Sequence, residues 1–292
     1  MLSQFFSHYL LENNLVTREQ LLDAIAHKSG TNVKLGVLAI NAGFMTAEQV
    51  EAVHRQQERV DKRIGDIAVD LGFLTVKQIN ELLSAQKPTH LLLGQALVDA
   101  GVLSNAQFES AMKAYKAKFA LDDGDFADEK DAKLATVVAT YLNAVNTKAA
   151  AYPVDYIMLL FKALTRFITD DYTPLAASAC LEGEAVYVTQ AIRGDFAACT
   201  RIECALPTLT ALAALFAKED VADIAEYTED AASEFLNQLN GLFAVNMSTT
   251  RSLELTLEPQ SVLHSAEGLC GADVVVPVCF PFGVVRFVLK AA

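Results

Sequence analysis

KLGVLAINAGFMTAEQVEAVHRQQ (34–57) and RIGDIAVDLGFLTVKQINELLSAQ (63–86) are two copies of one pattern, and reading them decides the first part of the fold. Working outward from them, Thr17, Thr46, Thr75 and Ser104 stand 29 residues apart, and Gln20, Gln49, Gln78 and Gln107 keep the same interval. So do Gly43, Gly72 and Gly101, with Asn14 in the first copy; Gly36, Gly65 and Gly94 form a third series that begins in the second copy. A fixed period of this kind marks a repeat architecture. Gly or Asn takes the left-handed conformation that ends one helix. Thr or Ser then caps the next, with Gln at the third position of a capping box. The residue before each cap (Val16, Met45, Leu74, Leu103) and the residue four after it (Leu21, Val50, Ile79, Phe108) are apolar and complete a hydrophobic staple. Residues 1–119 are therefore expected to form an all-α array of helical hairpins.

The chain has 292 residues, enough for roughly two domains, and 52% of them are hydrophobic against 20% charged. Its formal charge is −13, unevenly spread. Residues 1–119 carry twelve basic and twelve acidic side chains, which leaves the whole excess beyond them. So acidic a second half repels a phosphate backbone, and nucleic acid is not an expected partner. The N-terminus lacks the pattern of a secretory signal. No apolar run reaches the ~20 residues that span a bilayer, so no membrane association and a cytoplasmic location are expected. Cys180, Cys199, Cys204, Cys270 and Cys279 form no C-x-x-C pair and fall in apolar, strand-like sequence, which reads as reduced core thiols. The histidines show no metal-ligand spacing, and no metal site is expected.

The two quoted copies resemble the R-L-G-x-x-L…G…Q motif pair of the MshEN-type N-terminal domains of type II secretion ATPases, some of which bind cyclic di-GMP. The resemblance implies that Lys34 and Arg63 contact the dinucleotide, with Gly36 and Gly65 letting the backbone come close. Arg55, Arg59, Lys62 and Arg63 form a basic cluster that favours an anion. The family arginine is replaced by Lys34 in one copy and Leu92 in another, and lysine does not reproduce the bidentate guanidinium. A protein-interaction module with solvated basic residues is the other reading. No G-x-x-x-x-G-K-[ST] follows, so the ATPase activity does not transfer.

ALDDGDFADEKDAK (120–133) is charged, and with the helical spacing after it, residues 120–149 read as an acidic linker and connecting helix. Beyond, YPVDYIMLLFKALTRFI and LPTLTALAALFA read as helices. AASACLEGEAVYVTQA, DFAACTRIECA, RSLELTLE, DVVVPVCFPF and GVVRFVLK read as strands. Pro277 and Pro281 point to an edge strand or a strand end. Segregated helices and meandering strands predict an α+β domain over 150–292 with a largely antiparallel sheet.

Within it, YTEDAASEFLNQLNGLFAVN (227–246) reads as a helix capped by Thr228, with Phe235, Leu236, Leu239, Leu242 and Phe243 facing the sheet. Asp230, Glu234, Asn237, Gly241 and Ala244 fall on another stripe. A glycine inside an exposed helix costs about 1 kcal/mol relative to alanine, so Gly241 asks for a reason. By spacing alone the stripe is also an ordinary solvated face.

DAASEFLNQLNG resembles the D/S-x-x-x-E-x-x-N-x-x-x-G signature of the CheC/CheX/FliY phosphatases of bacterial chemotaxis. AIRGDFAACTRIECALPTLTALAALF stands where that family has a glycine-containing hairpin and a helix. Pro259 lies 22 residues after Asn237, near the family's proline. VVVPVCFPFGVVRFVLK is similar to the family's last two strands. The resemblance implies a CheX-like domain over 150–292 that hydrolyses the aspartyl phosphate of a CheY-like response regulator. Asn237 would position a water, and Glu234 would pair with the receiver's lysine. Asp230 would assist orientation, and Gly241 would give clearance. The cofactor Mg²⁺ would come with the receiver. Leu159 and Lys162 stand where doubled members carry a second Glu and Asn, which implies one site per chain and a homodimer paired through its sheets. An adaptor that binds receivers without catalysis, with the repeats recruiting cyclic di-GMP or a protein, is the alternative.

Overall fold

The computed structural model describes residues 2–27, 32–84, 89–122, 125, 131–143, 151–176, 184–269 and 271–291. The fold is α+β, with thirteen α-helices and a seven-stranded antiparallel sheet among these residues. The chain divides into two compact units, Leu2–Lys133 and Leu134–Ala292.

The first unit contains α1 (Leu2–Glu12), α2 (Arg18–His27), α3 (Leu35–Asn41), α4 (Ala47–Gln57), α5 (Ile64–Asp70), α6 (Val76–Ser84), α7 (Thr89–Asp99) and α8 (Asn105–Phe119). These are four hairpins, one per repeat. Gly43, Gly72 and Gly101 take φ of +69°, +73° and +68°, and Asn14 takes +53°. Each closes the same pair of reverse hydrogen bonds: Gly43 N donates to Ile40 O and Phe44 N to Ala39 O, and the other copies repeat this. The capping box is present four times, with Gln20, Gln49, Gln78 and Gln107 each returning a side-chain oxygen to the cap's backbone N–H.

The third glycine series has an internal cause. A Cβ on Gly36 would lie 2.8 Å from Val50 Cγ1, one on Gly65 would lie 3.2 Å from Ile79 Cδ1, and one on Gly94 would lie 2.3 Å from the Phe108 ring. Each contact joins the first helix of a hairpin to the staple residue of its second. The first copy has the small, buried Ser7 at this position. The glycines let paired helices approach each other, which gives Gly36 and Gly65 a reason within the fold.

Neighbouring hairpins are not sequential. Helices α1 and α2 pack on the α7–α8 hairpin, whereas α3 and α4 pack on α7 and α8 on one side and on α5 and α6 on the other. The spatial order is first, fourth, second, third.

His90 on α7 is 1% exposed, with Nδ1 3.0 Å from Ser3 Oγ. Burial, aided by the Lys116 charge, pushes its pKa down to about 3. The unfolded chain protonates this histidine near pH 6.5 while the folded one does not, so stability is present above pH 6.5 and lost as pH falls towards 3. Lowering pH from 7.5 to 5 is expected to remove about 2 kcal/mol from the first unit through this group. Hydrogen exchange of the α7 amides in the full chain reads the loss, and His90→Leu should abolish that part of the pH dependence.

The second unit begins within α9 (Asp131–Asn143), in the region expected as linker; residues 123–124, 126–130 and 144–150 of that region lie outside the described residues. Tyr141 on α9 donates to Leu175 O, whose own N–H donates to Pro277 O, tying the helix to the sheet. Next come α10 (Ala151–Ala163), running into a π-helical turn at Leu164–Ile168, then α11 (Leu206–Ala217), α12 (Val221–Ile224) and α13 (Thr228–Arg251).

The strands are β1 (Thr173–Pro174), β2 (Ala185–Gly194), β3 (Ala198–Ala205), β4 (Leu255–Leu257), β5 (Ser261–Leu263), β6 (Val274–Phe280) and β7 (Gly283–Ala291). They run in the order β1-β6-β7-β3-β2-β4, with β5 also paired to β2. The two-residue β1 and the three-residue β5 were not expected from the sequence. Among the described residues, strand β6 is bordered on its outer side only by β1. Pro277 O points to that side, and so does its missing N–H, so the β6–β7 ladder loses no bond. Pro281 lies in the two-residue turn between Phe280 and Gly283. Among the described cysteines, Cys204 and Cys279 are buried and Cys199 half-buried; burial pushes Cys204 up to about 12. Cys180 and Cys270 lie outside the described residues.

Candidate functional site

Helix α13 carries Glu229 and Asp230 in its first turn, where carboxylates complement the positive end of the helix dipole. Its cap differs from expectation. Tyr227 precedes the helix, while Thr228 is buried in the first turn and donates Oγ1 to Ile224 O instead of capping. On the inner face Phe235 meets Phe216 of α11 edge-on at 5.5 Å, and Phe243 meets Tyr156 of α10 at 5.2 Å. Leu236 and Leu239 are buried with them. Leu242, expected on this face, is 39% exposed, and so is its neighbour Val245, at 65%.

The other stripe is placed as its spacing implies. Asp230 and Glu234 are exposed, and Asn237, Gly241 and Ala244 are half-buried. Glu234 Oε1 accepts from Gln238 Nε2 at 3.3 Å on the surface. A Cβ built on Gly241 meets nothing within 4 Å, unlike those on Gly36, Gly65 and Gly94. Among the described residues nothing packs against the position closely enough to require a glycine there.

Asn237 is the stripe residue that connects inward. Its Oδ1 accepts from Gln190 Nε2 on β2 at 2.9 Å, and the same nitrogen donates to Glu258 O at 2.9 Å. Gln190 Oε1 accepts from Asn240 Nδ2, which also donates to Thr200 Oγ1 at 2.7 Å. Thr200 in turn donates to Gln190 O, and Tyr156 donates its hydroxyl to Asn240 Oδ1 at 2.9 Å. Burial pushes the Tyr156 phenol upward, so it remains a donor at neutral pH. Gln190, Thr200, Asn240 and Tyr156 are each 2% exposed or less.

Sequence reading missed these four residues, although two left a signal. Gln190 takes an inward position in the alternation Val186, Val188, Gln190, Ile192, and Asn240 falls at core spacing between Leu236 and Phe243. A polar side chain at either position needs a buried partner.

On α10, Leu159 and Lys162 are half-buried and bring no second Glu–Asn pair to the surface. In the first unit Lys34 and Arg63 each precede a helix, α3 and α5. Lys34 Nζ is paired with Asp99 at 2.6 Å and Lys62 with Asp70 at 2.7 Å, while Arg63 is exposed. Among the described residues no group of three or more His, Cys, Asp or Glu is arranged to hold a metal ion, and no helix is long and apolar enough to cross a membrane.

No protein-family model matches the chain, and no curated protein does. Solved structures do. CheX from Borrelia burgdorferi, in its complex with CheY, BeF3 and Mg²⁺, is 14% identical with a TM-score of 0.38, covering 48% of this chain and 97% of that one. Chemotaxis protein CheX from Vibrio vulnificus is 12% identical with a TM-score of 0.41, covering 49% of this chain and 100% of that one. A CheC-like superfamily protein from Shewanella sp. PV-4 is 12% identical with a TM-score of 0.39, covering 49% of this chain and 99% of that one. At such identities and TM-scores these similarities carry no argument about function.

Proposed function

We propose that the stripe on α13 hydrolyses the aspartyl phosphate of a CheY-like receiver domain. Gly241 carries the reading. A helix-interior glycine costs about 1 kcal/mol against alanine, and no described residue comes within 4 Å of the space beside it, whereas a partner lying against α13 uses the missing Cβ. The signature spacing in the sequence supports the same assignment, with Glu234 and Asn237 on the same exposed side as Gly241. The Borrelia burgdorferi protein is described with CheY, BeF3 and Mg²⁺; for this chain the reading rests on its own helix.

In the reaction, a water oxygen forms a bond to phosphorus as the bond from phosphorus to the aspartyl oxygen breaks. The aspartate leaves as a carboxylate, and both hydrogens of the water leave with inorganic phosphate, as dihydrogen phosphate that then equilibrates with solvent. The receiver brings the phosphoryl group and Mg²⁺, so this chain need only place the water in line. The Asn237 carboxamide does so by hydrogen bonding, with no proton of its own to transfer. Glu234, one turn away and exposed, pairs with a lysine of the receiver and fixes the docking register.

Variants of Gly241 test the reading. Gly241→Ala is expected to raise stability by up to about 1 kcal/mol. Gly241→Leu is expected to keep the fold and to abolish acceleration of phosphoreceiver decay. Parent-level activity in Gly241→Leu would remove the partner-clearance argument. A receiver that binds the parent with no acceleration of decay would make the chain an adaptor.

A further inference from the structure

We propose that Gln190 is the positioning residue that decides which end of the Asn237 carboxamide meets the substrate. The assignment rests on the phosphatase reading above. It follows from two backbone carbonyls, which have only acceptor capacity. The carbonyl of Glu258 lies 2.9 Å from the Gln190 amide, so the Gln190 atom there is the Nε2 donor. The carbonyl of Gln190 is 3.1 Å from Thr200 Oγ1, so that hydroxyl spends its one proton there and accepts from Asn240. Asn240 therefore turns Nδ2 towards Thr200 and Gln190, and Gln190 must offer Oε1 to it. Tyr156 donates to the remaining Asn240 oxygen. Started from either carbonyl, the chain of donors and acceptors gives the same orientation for both buried amides.

Only one atom of Asn237 satisfies the Gln190 N–H, and that is Oδ1. The carboxamide is thereby locked with Oδ1 inward and Nδ2 outward. It presents two N–H donors to the partner, with one lone pair of Oδ1 still free to accept. A water held by such a group accepts from Nδ2 on one lone pair and keeps the other for phosphorus. Pro259 has a place in the same device. It follows the carbonyl that orients Gln190, and a proline restricts the residue before it to extended backbone.

Gln190→Met removes both donors at similar volume, and Gln190→Glu replaces them with an acceptor, which draws Asn237 Nδ2 inward. In the full chain, kcat for phosphoreceiver decay should fall roughly tenfold or more, as for a misplaced catalytic group. KM, and affinity for a BeF3-loaded receiver, should stay within about twofold. In ¹⁵N spectra the Asn237 side-chain amide, freely exchanging in the parent, should become protected in Gln190→Glu. If either variant folds and turns over at the parent kcat, the assignment is overturned while the phosphatase reading stands. Loss of receiver affinity with kcat unchanged would also overturn it, because Gln190 would then only support the surface. If the parent itself leaves decay at the spontaneous rate, both fall together.

Discussion

Asn237→Ala should abolish phosphoreceiver hydrolysis by the full chain, with a fall on the order of 10²-fold or more, and should barely disturb the fold. The first part follows from the chemistry. Catalysis by positioning leaves nothing in reserve when the positioning group is gone, since the aspartyl phosphate then decays as it does in the free receiver. The second part follows from the surroundings. Asn237 is half-buried, and its one inward bond is from Gln190, whose nitrogen keeps Glu258 O as a partner. Losing one such bond costs about 1 kcal/mol. Turnover and urea unfolding of the same preparation separate the two effects. A variant as active as the parent would show that the carboxamide does not hold the water.

Gly94→Ala should be the most damaging of the small-to-alanine changes in the first unit, because the new Cβ would sit 2.3 Å from a Phe108 ring that is wholly buried. A ring held on all sides cannot yield cheaply, and overpacking of this kind costs about 1–3 kcal/mol or more. Gly36→Ala, at 2.8 Å from a Val50 methyl, should cost less. Gly65→Ala meets the end of a flexible Ile79 side chain at 3.2 Å, and the better helix propensity of alanine, worth about 1 kcal/mol, should offset most of the contact. The order Gly94, Gly36, Gly65 is the test, read as loss of amide protection in α7–α8, α3–α4 and α5–α6 of the full chain. Equal losses at all three would contradict the packing account.

The three glycine series show where sequence reading succeeds and where it stops. The series Gly43, Gly72 and Gly101 was legible because its cause is local: a positive φ and two reverse hydrogen bonds lie within one turn of chain. The capping boxes were legible for the same reason. The cause of the series Gly36, Gly65 and Gly94 lies on the next helix, and a glycine alone does not say whether a ligand or a side chain comes close. For Gly241 the same geometric question gives the opposite answer, and that contrast could not be drawn from spacing.

The site shows the same division. Periodicity placed Asp230, Glu234, Asn237 and Gly241 on one stripe, because a helix carries its faces in its own sequence. It misplaced Leu242, at the boundary between faces, and Thr228, whose hydroxyl turns back to the preceding short helix. Gln190 was missed because it reaches Asn237 across 47 residues, through a strand-to-helix pairing that no local pattern encodes. The spatial order of the hairpins, with the fourth between the first and second, was hidden for a related reason: repeats built on one pattern do not say which of their faces meet.

The central claim is that the α13 stripe catalyses, and does not merely bind. The direct measurement is the decay of a phosphorylated CheY-like receiver with Mg²⁺, followed with no added protein, with the parent chain and with Asn237→Ala. Decay accelerated by the parent and spontaneous with the variant is the predicted result. Spontaneous decay with the parent, or acceleration by Asn237→Ala equal to the parent's, would contradict it.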